Sequence, residues 1–254
     1  MVLCCLRPNP MPGTRVLYME ERRGQDPDPC YLREFDAQVI ERGPDHIVLD
    51  RTAFYAEGGG QPYDTGILRW AGGEAKVLRV QKEKGVIRHI VDRMPSADAV
   101  HGVVDWERRY AHMRMHTSQH LMSGLAFRIF AARTVGNQIH ADRSRIDFQP
   151  VNFTAEDLKR IEHECNGVIA SGVAVRIFEE DRVAVENRIE DRALMDLIPQ
   201  SIRRLRIIQV GAADYCPCGG THLMNVREIG RVRVLGKRSK GKETDRVEYE
   251  LLPA

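Results

Sequence analysis

The chain has 254 residues, 43% of them hydrophobic and 29% charged, with a formal net charge of +2 at pH 7. That balance excludes a disordered or fibrous protein, and a charge so near zero supplies no global field toward nucleic acid, so any RNA contact has to come from a local basic patch. No stretch approaches the roughly 18 consecutive apolar residues of a membrane span, and the opening MVLCCLRPNPMPG holds too short an apolar run for a secretory signal, so the expected location is cytoplasmic, without a membrane partner.

Residues 14–105 carry short β-type segments at 14–19, 37–40, 46–49, 66–70, 76–80 and 86–91, separated by Gly, Pro and Asp. The pattern predicts a small all-β barrel or sandwich. Between two of these segments lies Tyr55-Ala56-Glu57-Gly58-Gly59-Gly60-Gln61-Pro62. Three glycines in a row permit positive φ or close approach of backbone to a ligand, and they serve equally as a tight connection.

Near Trp106 the texture turns helical, with Met113, His116, His120, Leu121, Leu125 and Ile129 at three- and four-residue spacings. This predicts a domain boundary close to residue 105, with a β domain over 14–105 and a second domain over 106–254. A strand-like segment ending in Arg145-Ile146-Asp147-Phe148 follows, then a helix from Thr154 with Glu156 and Asp157 in its first turn. Strands at 174–178, 204–210, 231–235 and 247–252 complete an α+β pattern.

The cysteines at 4, 5, 30, 165, 216 and 218 form no regular disulfide framework, and the close pair points to metal or reactivity. His116-Thr117-Ser118-Gln119-His120 places two imidazoles at i and i+4 on one helical face, near enough to share an ion. His112 extends the row by a turn and leaves open which two ligate. Thr117 stands where an HExxH metalloprotease has its glutamate, so that general base is absent. About a hundred residues later, Cys216-Pro217-Cys218-Gly219-Gly220-Thr221-His222 brings thiolate and imidazole together across a Gly-Gly turn. By spacing the set is His2Cys2, with Cys216 able to compete with Cys218, and thiolate plus imidazole favours zinc over magnesium or calcium. Spacing leaves open whether that zinc is structural or catalytic.

HTSQH followed by CGGTH resembles the editing domain of alanyl-tRNA synthetases and the freestanding AlaX-type editing proteins. The likeness extends to Leu49-Asp50-Arg51-Thr52-Ala53-Phe54-Tyr55 with Gly58 to Pro62 and Asp64-Thr65-Gly66, to Arg109, His112 and Met113, to Gly230 after Glu228-Ile229, and to Lys240-Gly241-Lys242. It covers nearly the whole chain from about residue 14, whereas the first dozen residues match nothing in the family. A chain of 254 residues leaves no room for an aminoacylation domain, so the resemblance is to the freestanding editor.

The resemblance implies an α+β fold, with a small N-terminal β-barrel followed by an editing domain of the threonyl/alanyl-tRNA synthetase type. It implies one zinc on His116, His120, Cys218 and His222, and hydrolysis of the ester joining a wrong amino acid to tRNA. The expected partner is mischarged alanine tRNA carrying serine, with glycine as a second candidate, and no protein partner is inferred. Gln138 and Asp147 are candidate catalytic pocket residues, with a structural strand residue the first reading of Asp147. Thr52, Gly58, Gly59 and Gly60 resemble the part of the family that shapes selectivity, and Thr221 resembles the alanine-specific version. Lys237, Arg238, Lys240 and Lys242 form the densest basic run, a candidate RNA contact or a solvated loop. Two alternatives remain: a zinc-stabilised tRNA-binding module without catalysis, and an editor of threonine tRNA.

Overall fold

Alternation of apolar and polar residues over 14–105 resolves into strands whose buried faces close on themselves. A computed structural model of the chain describes residues 13–21, 28–189, 195 and 198–253, so the first dozen residues lie outside it. Six antiparallel strands form a closed barrel: β2 (Glu34–Arg42), β3 (His46–Leu49), β5 (Gly66–Trp70), β6 (Gly73–Glu83), β7 (Val86–Val91) and β8 (Ala99–Val104), ordered β2-β3-β7-β6-β5-β8. Phe35, Ala37 and Val39 of β2 point inward while their neighbours are exposed, as a half-buried strand of period two requires. They pack with Ile47, Leu49, Phe54, Leu68 and Val80 in the barrel core. The expected strand at 14–19 is shorter. Only β1 (Arg15–Val16) is extended, paired in parallel with β4 (Arg51–Thr52), and Leu17–Met19 tighten into a 3-10 turn.

This barrel unit comprises residues 13–58 and 62–110. Arg109 and Asp64 inside it are an ion pair with neither side chain exposed. Asp64 Oδ2 also accepts from Tyr55 N at 2.7 Å, and Arg109 Nη1 donates to the Cys30 carbonyl at 3.0 Å.

The second unit comprises residues 59–61 and 111–253. Helix α1 (Trp106–Phe130) runs into it and is buried on all sides from Met115 to Ala126, not only along the stripe its spacing predicts. Beyond it come β9 (Arg133–Gln138), β10 (Ser144–Gln149), α2 (Ala155–Ser171), β11 (Val175–Asp181), α3 (Arg182–Arg188), β12 (Arg204–Val210), β13 (Asp214–Pro217), β14 (Arg231–Gly241) and β15 (Thr244–Leu252). They build a four-stranded sheet, β14-β15-β10-β9, and a three-stranded sheet, β11-β12-β13. Thr154 is the N-cap of α2 in a capping box with Asp157, and Gly172 ends the helix in the left-handed conformation. Val185 and Ile189 pack against Leu205 and Ile207 under the smaller sheet. The fold is thus α+β with an N-terminal barrel, as expected. Among the described residues no helix is long and apolar enough to cross a membrane.

Candidate metal centre

One helix and one loop carry the donors. His116 and His120 sit a turn apart in the buried middle of α1, and Cys218 and His222 lie in the loop that follows β13. One ligand atom from each of the four lies within 4.8 Å of all the others. Cys218 Sγ is 3.6 Å from His116 Nε2 and 3.4 Å from His222 Nε2. The donors are therefore three histidines and one cysteine, a correction to the His2Cys2 set read from spacing. Cys216 belongs to β13 and His112 to the preceding turn of α1, and neither is among the four.

What aims the imidazoles is a layer of polar groups behind them. His116 Nδ1 lies 2.8 Å from Gln61 Oε1, which also accepts from Thr221 N at 3.1 Å. A backbone N–H can only donate, so that contact fixes which end of the Gln61 amide is oxygen. His116 Nδ1 then carries the proton, and its Nε2 lone pair faces the cluster. Gln61 Nε2 donates onward to Thr221 Oγ1 at 2.9 Å. His120 Nδ1 donates to Asp214 Oδ2 at 2.7 Å, and a carboxylate permits only that direction. His222 Nδ1 is 3.4 Å from Thr117 Oγ1, which accepts from Leu223 N at 3.0 Å. Histidine ligands held through the far ring nitrogen are the usual construction of a metal site.

Electrostatics agree with the geometry. Burial pushes His116 and His222 well below the ordinary histidine range, and the neighbouring imidazoles and Arg206 push the same way. Neutral imidazoles are what a metal ion needs. Cys218 Sγ accepts from Gly220 N at 3.3 Å, which favours a thiolate. Arg206 Nη1 braces the loop through the carbonyls of Cys218 at 2.7 Å and Gly220 at 3.0 Å. A Cβ on Gly220 would stand 2.1 Å from His116 Cε1, so only glycine lets the loop approach the helix this closely. The donor set, its tautomers and its backing fit one metal ion.

The other expected residues are distributed more widely. Thr221 is fully buried and engaged by Gln61. Gly59 and Gly60 have φ of 58° and 89°, which favour glycine, and Gly60 O accepts from Ile139 N at 2.8 Å. In the barrel, Gly58 O accepts from Tyr55 Oη at 2.9 Å, and Thr52 Oγ1 lies 2.9 Å from His89 Nε2 and accepts from Phe54 N at 3.1 Å. Gln138 is exposed on β9 and accepts from Arg145 Nε at 3.0 Å. Asp147 on β10 pairs with Arg246 through both oxygens, at 2.7 and 2.9 Å, and with Arg145 at 3.1 Å. Desolvation pushes its carboxyl up, but Arg246 and Arg145 outweigh this and hold it below the usual carboxylate range. Neither Gln138 nor Asp147 is among the four donors.

The basic run is strand rather than loop: Lys237, Arg238 and Lys240 lie on β14 and Lys242 in its turn to β15. Lys237 Nζ is engaged by Asp245 at 2.8 Å and Asn152 at 2.9 Å, whereas Lys240 and Lys242 are exposed. Sequence reasoning missed Asp214 and Arg206 altogether, and it met Gln61 only as the residue after three glycines. The signal for Gln61 and Asp214 is positional: each is a polar side chain close in sequence to a glycine-rich or ligand-bearing loop.

Comparison with known proteins defines the class first. Residues 205–248, which include Cys218 and His222, match the threonyl and alanyl tRNA synthetase second additional domain, and residues 30–108 match class II (A) tRNA synthetases. The alanyl-tRNA editing protein AlaX-M of Methanosarcina barkeri is 36% identical over 233 residues, 88% of this chain and 96% of the relative. That of Methanosarcina acetivorans is 36% identical over 252 residues, 94% of this chain and 99% of the relative. The alanine–tRNA ligase of Thermococcus kodakarensis is 38% identical over 232 residues, 89% of this chain and 24% of the ligase. The chain belongs to the alanyl-tRNA editing protein family.

Proposed function

We propose that this protein is a zinc-dependent hydrolase that removes serine, and as a second substrate glycine, from mischarged alanine tRNA. The observation that carries the reading is the buried His116, His120, Cys218 and His222 cluster in a chain of the alanyl-tRNA editing family. Thiolate with imidazole favours zinc among biological divalent ions. Zinc held by these four residues would supply Lewis-acid polarisation to ester hydrolysis where a coordination position opens, and would otherwise hold the loop and helix in place beside the substrate.

The chain's own residues supply orientation. Gln61, Asp214 and Thr117 hold the donors, and Arg206 and Gly220 hold the loop that carries two of them. Gly59, Gly60 and Thr221 are the proposed substrate contacts of the second unit. Roles for Thr52 and Gly58, on the barrel unit, rest on family resemblance alone, as do catalytic roles for Gln138 and Asp147. A pocket that hydrogen-bonds a serine hydroxyl leaves polar groups unpaired when alanine enters, which spares the correct ester by orders of magnitude in rate. Lys240 and Lys242 are the proposed phosphate contacts, and Lys237 is the weaker candidate because Asp245 already holds it.

The test is deacylation of alanine tRNA carrying serine, glycine or alanine, with and without a chelator, beside threonine tRNA carrying serine. Release of serine from alanine tRNA, with alanine spared and activity lost to the chelator, is the expected result. Faster release from threonine tRNA would reassign the specificity. No release from any substrate by zinc-loaded protein would leave a binding module.

A further inference from the structure

Strand β13 carries a second thiol beside the cluster that none of the roles above uses. Its ladder with β12 pairs Val210 with Asp214, Ile208 with Cys216 and Ile207 with Pro217, and Cys218 N extends it by one bond to Arg206 O at 3.0 Å. Side chains alternate across such a ladder. Tyr215 takes one face, against the core of Leu205 and Ile207, and Asp214, Cys216 and Cys218 take the other. Asp214 there bonds His120 at 2.7 Å and Cys218 belongs to the donor cluster, so Cys216 stands in the row between two residues of the metal site. It is not itself one of the donors.

Exposure separates the two cysteines. Both are reduced, but Cys216 is half-buried whereas Cys218 is only 6% exposed. The susceptibility of a thiol to peroxide follows its exposure and thiolate character, so Cys216 is the first to meet an oxidant. Cys216 Sγ donates to the Pro217 carbonyl at 3.6 Å, which lays the sulfur against the peptide leading into Cys218. Residues two apart in a strand have Cα atoms about 6.6–6.8 Å apart, at the upper limit of about 6.8 Å that a disulfide spans. A bridge between the two therefore closes only if Cys218 bends out of the ladder, and Gly219 and Gly220 after it give the chain that freedom. Bending withdraws Cys218 Sγ from His116 Nε2 and His222 Nε2, which lie 3.6 and 3.4 Å from it. Bridge and metal site are thus alternatives, and a bridge closed under strain is readily reduced.

We propose that Cys216 and Cys218 form a reversible redox switch that empties the metal site under peroxide. The Cys216 thiolate takes one oxygen from hydrogen peroxide, giving a sulfenic acid, and the other oxygen leaves as water. The Cys218 thiolate then attacks the Cys216 sulfur and expels hydroxide, which takes a proton and leaves as a second water, and the cluster loses its sulfur donor. In sum, two thiols and one hydrogen peroxide become one disulfide and two waters, and a dithiol reverses this by exchange, itself becoming a disulfide. The inference rests on the reading of the cluster as a zinc site.

The test exposes zinc-loaded full-length protein to hydrogen peroxide and follows zinc release to a chromophoric chelator, intact mass and disulfide mapping of peptides. Wild type should release its zinc, lose the mass of two hydrogens, show a bridge between Cys216 and Cys218, and regain zinc binding after dithiothreitol. Cys216→Ser should hold as much zinc as wild type before peroxide, release it severalfold more slowly, and gain oxygen at Cys218 in a form that dithiothreitol does not reverse. Cys216→Ala, with Tm measured for both variants, replaces it should the serine variant fold poorly. Equal release rates in wild type and variant overturn the switch, as does a bridge mapped to any other cysteine pair or between two chains. Zinc missing from the folded variants before peroxide makes Cys216 a ligand and also overturns it. An untreated wild type that holds no zinc when loaded sinks the zinc reading by itself, whereas the mapped bridge decides the coupling of the two thiols without reference to any metal.

Discussion

Replacing Asp214 with Ala removes the carboxylate that holds His120 Nδ1 at 2.7 Å, without touching any of the four donors. Loss of such a partner costs roughly 10- to 100-fold in metal affinity, because the imidazole is freed to rotate and its ring loses basicity. The contact is charge-assisted and its carboxylate is fully buried, so solvent does not screen it. The upper half of that range follows, about 2–3 kcal/mol at 1.4 kcal/mol per tenfold. Asp214→Asn keeps an acceptor oxygen but no charge and should fall near the lower end, giving the order wild type, Asn, Ala. The assay is competition for zinc against a chromophoric chelator at fixed pH, with Tm of the metal-free proteins measured alongside to separate lost affinity from lost folding. A zinc Kd for Asp214→Ala within twofold of wild type would refute the reasoning that this layer aims the donors.

Gly220→Ala puts a Cβ 2.1 Å from His116 Cε1 and should abolish metal binding as completely as Cys218→Ala, checked by metal analysis of the purified variants. In the barrel, burial pushes His89 down to about 4 from the ordinary 6.5. The folded state therefore resists a proton that the unfolded chain accepts, so stability is whole above pH 6.5 and declines as pH falls to about 4. At 1.36 kcal/mol per unit the loss is on the order of 3 kcal/mol. Urea unfolding across that range should show it, and His89→Gln should flatten this part of the profile. Lys240→Ala and Lys242→Ala should each reduce the salt dependence of tRNA binding by about one unit of log–log slope. Lys237→Ala should instead lower Tm, since it strips the ion partner from buried Asp245; an unchanged Tm with a reduced slope would restore Lys237 as a phosphate contact.

The barrel was legible because half-buried strands such as β7 alternate visibly, and α2 because Thr154, Asp157 and Gly172 mark its ends chemically. The donors were legible because HTSQH and CGGTH are local patterns, each written within seven residues of chain. What escaped depends on contacts distant in sequence. Gln61 meets Thr221 across a separation of 160 residues, and Asp214 meets His120 across 94. No window of sequence holds both partners. Strand β13, with Asp214, Tyr215, Cys216 and Pro217, has no apolar alternation to announce it and is extended because β12 supplies its ladder. The lysine run reads as a loop because its residues are polar on both sides, yet the ladder with β15 keeps it extended. The four residues implied by the family resemblance are the four that cluster, whereas the His2Cys2 count from spacing differs from them because His222 is in the cluster and Cys216 is not.

The separation of the donors also sets an order of events during synthesis. A chain emerging from its N-terminus offers His116 and His120 long before Cys218 and His222 exist, and two imidazoles alone are half a tetrahedral shell. β10 likewise waits for β15, whose Val247 and Arg246 are its register partners for Ile146 and Asp147. The last barrel strand ends at residue 104, and its unit waits only a few residues more, for Arg109 of α1, the partner of buried Asp64. On the ribosome the protein is therefore first a barrel with the opening turn of α1, and the second unit, with the cluster able to hold an ion, is completed only when its last strands emerge.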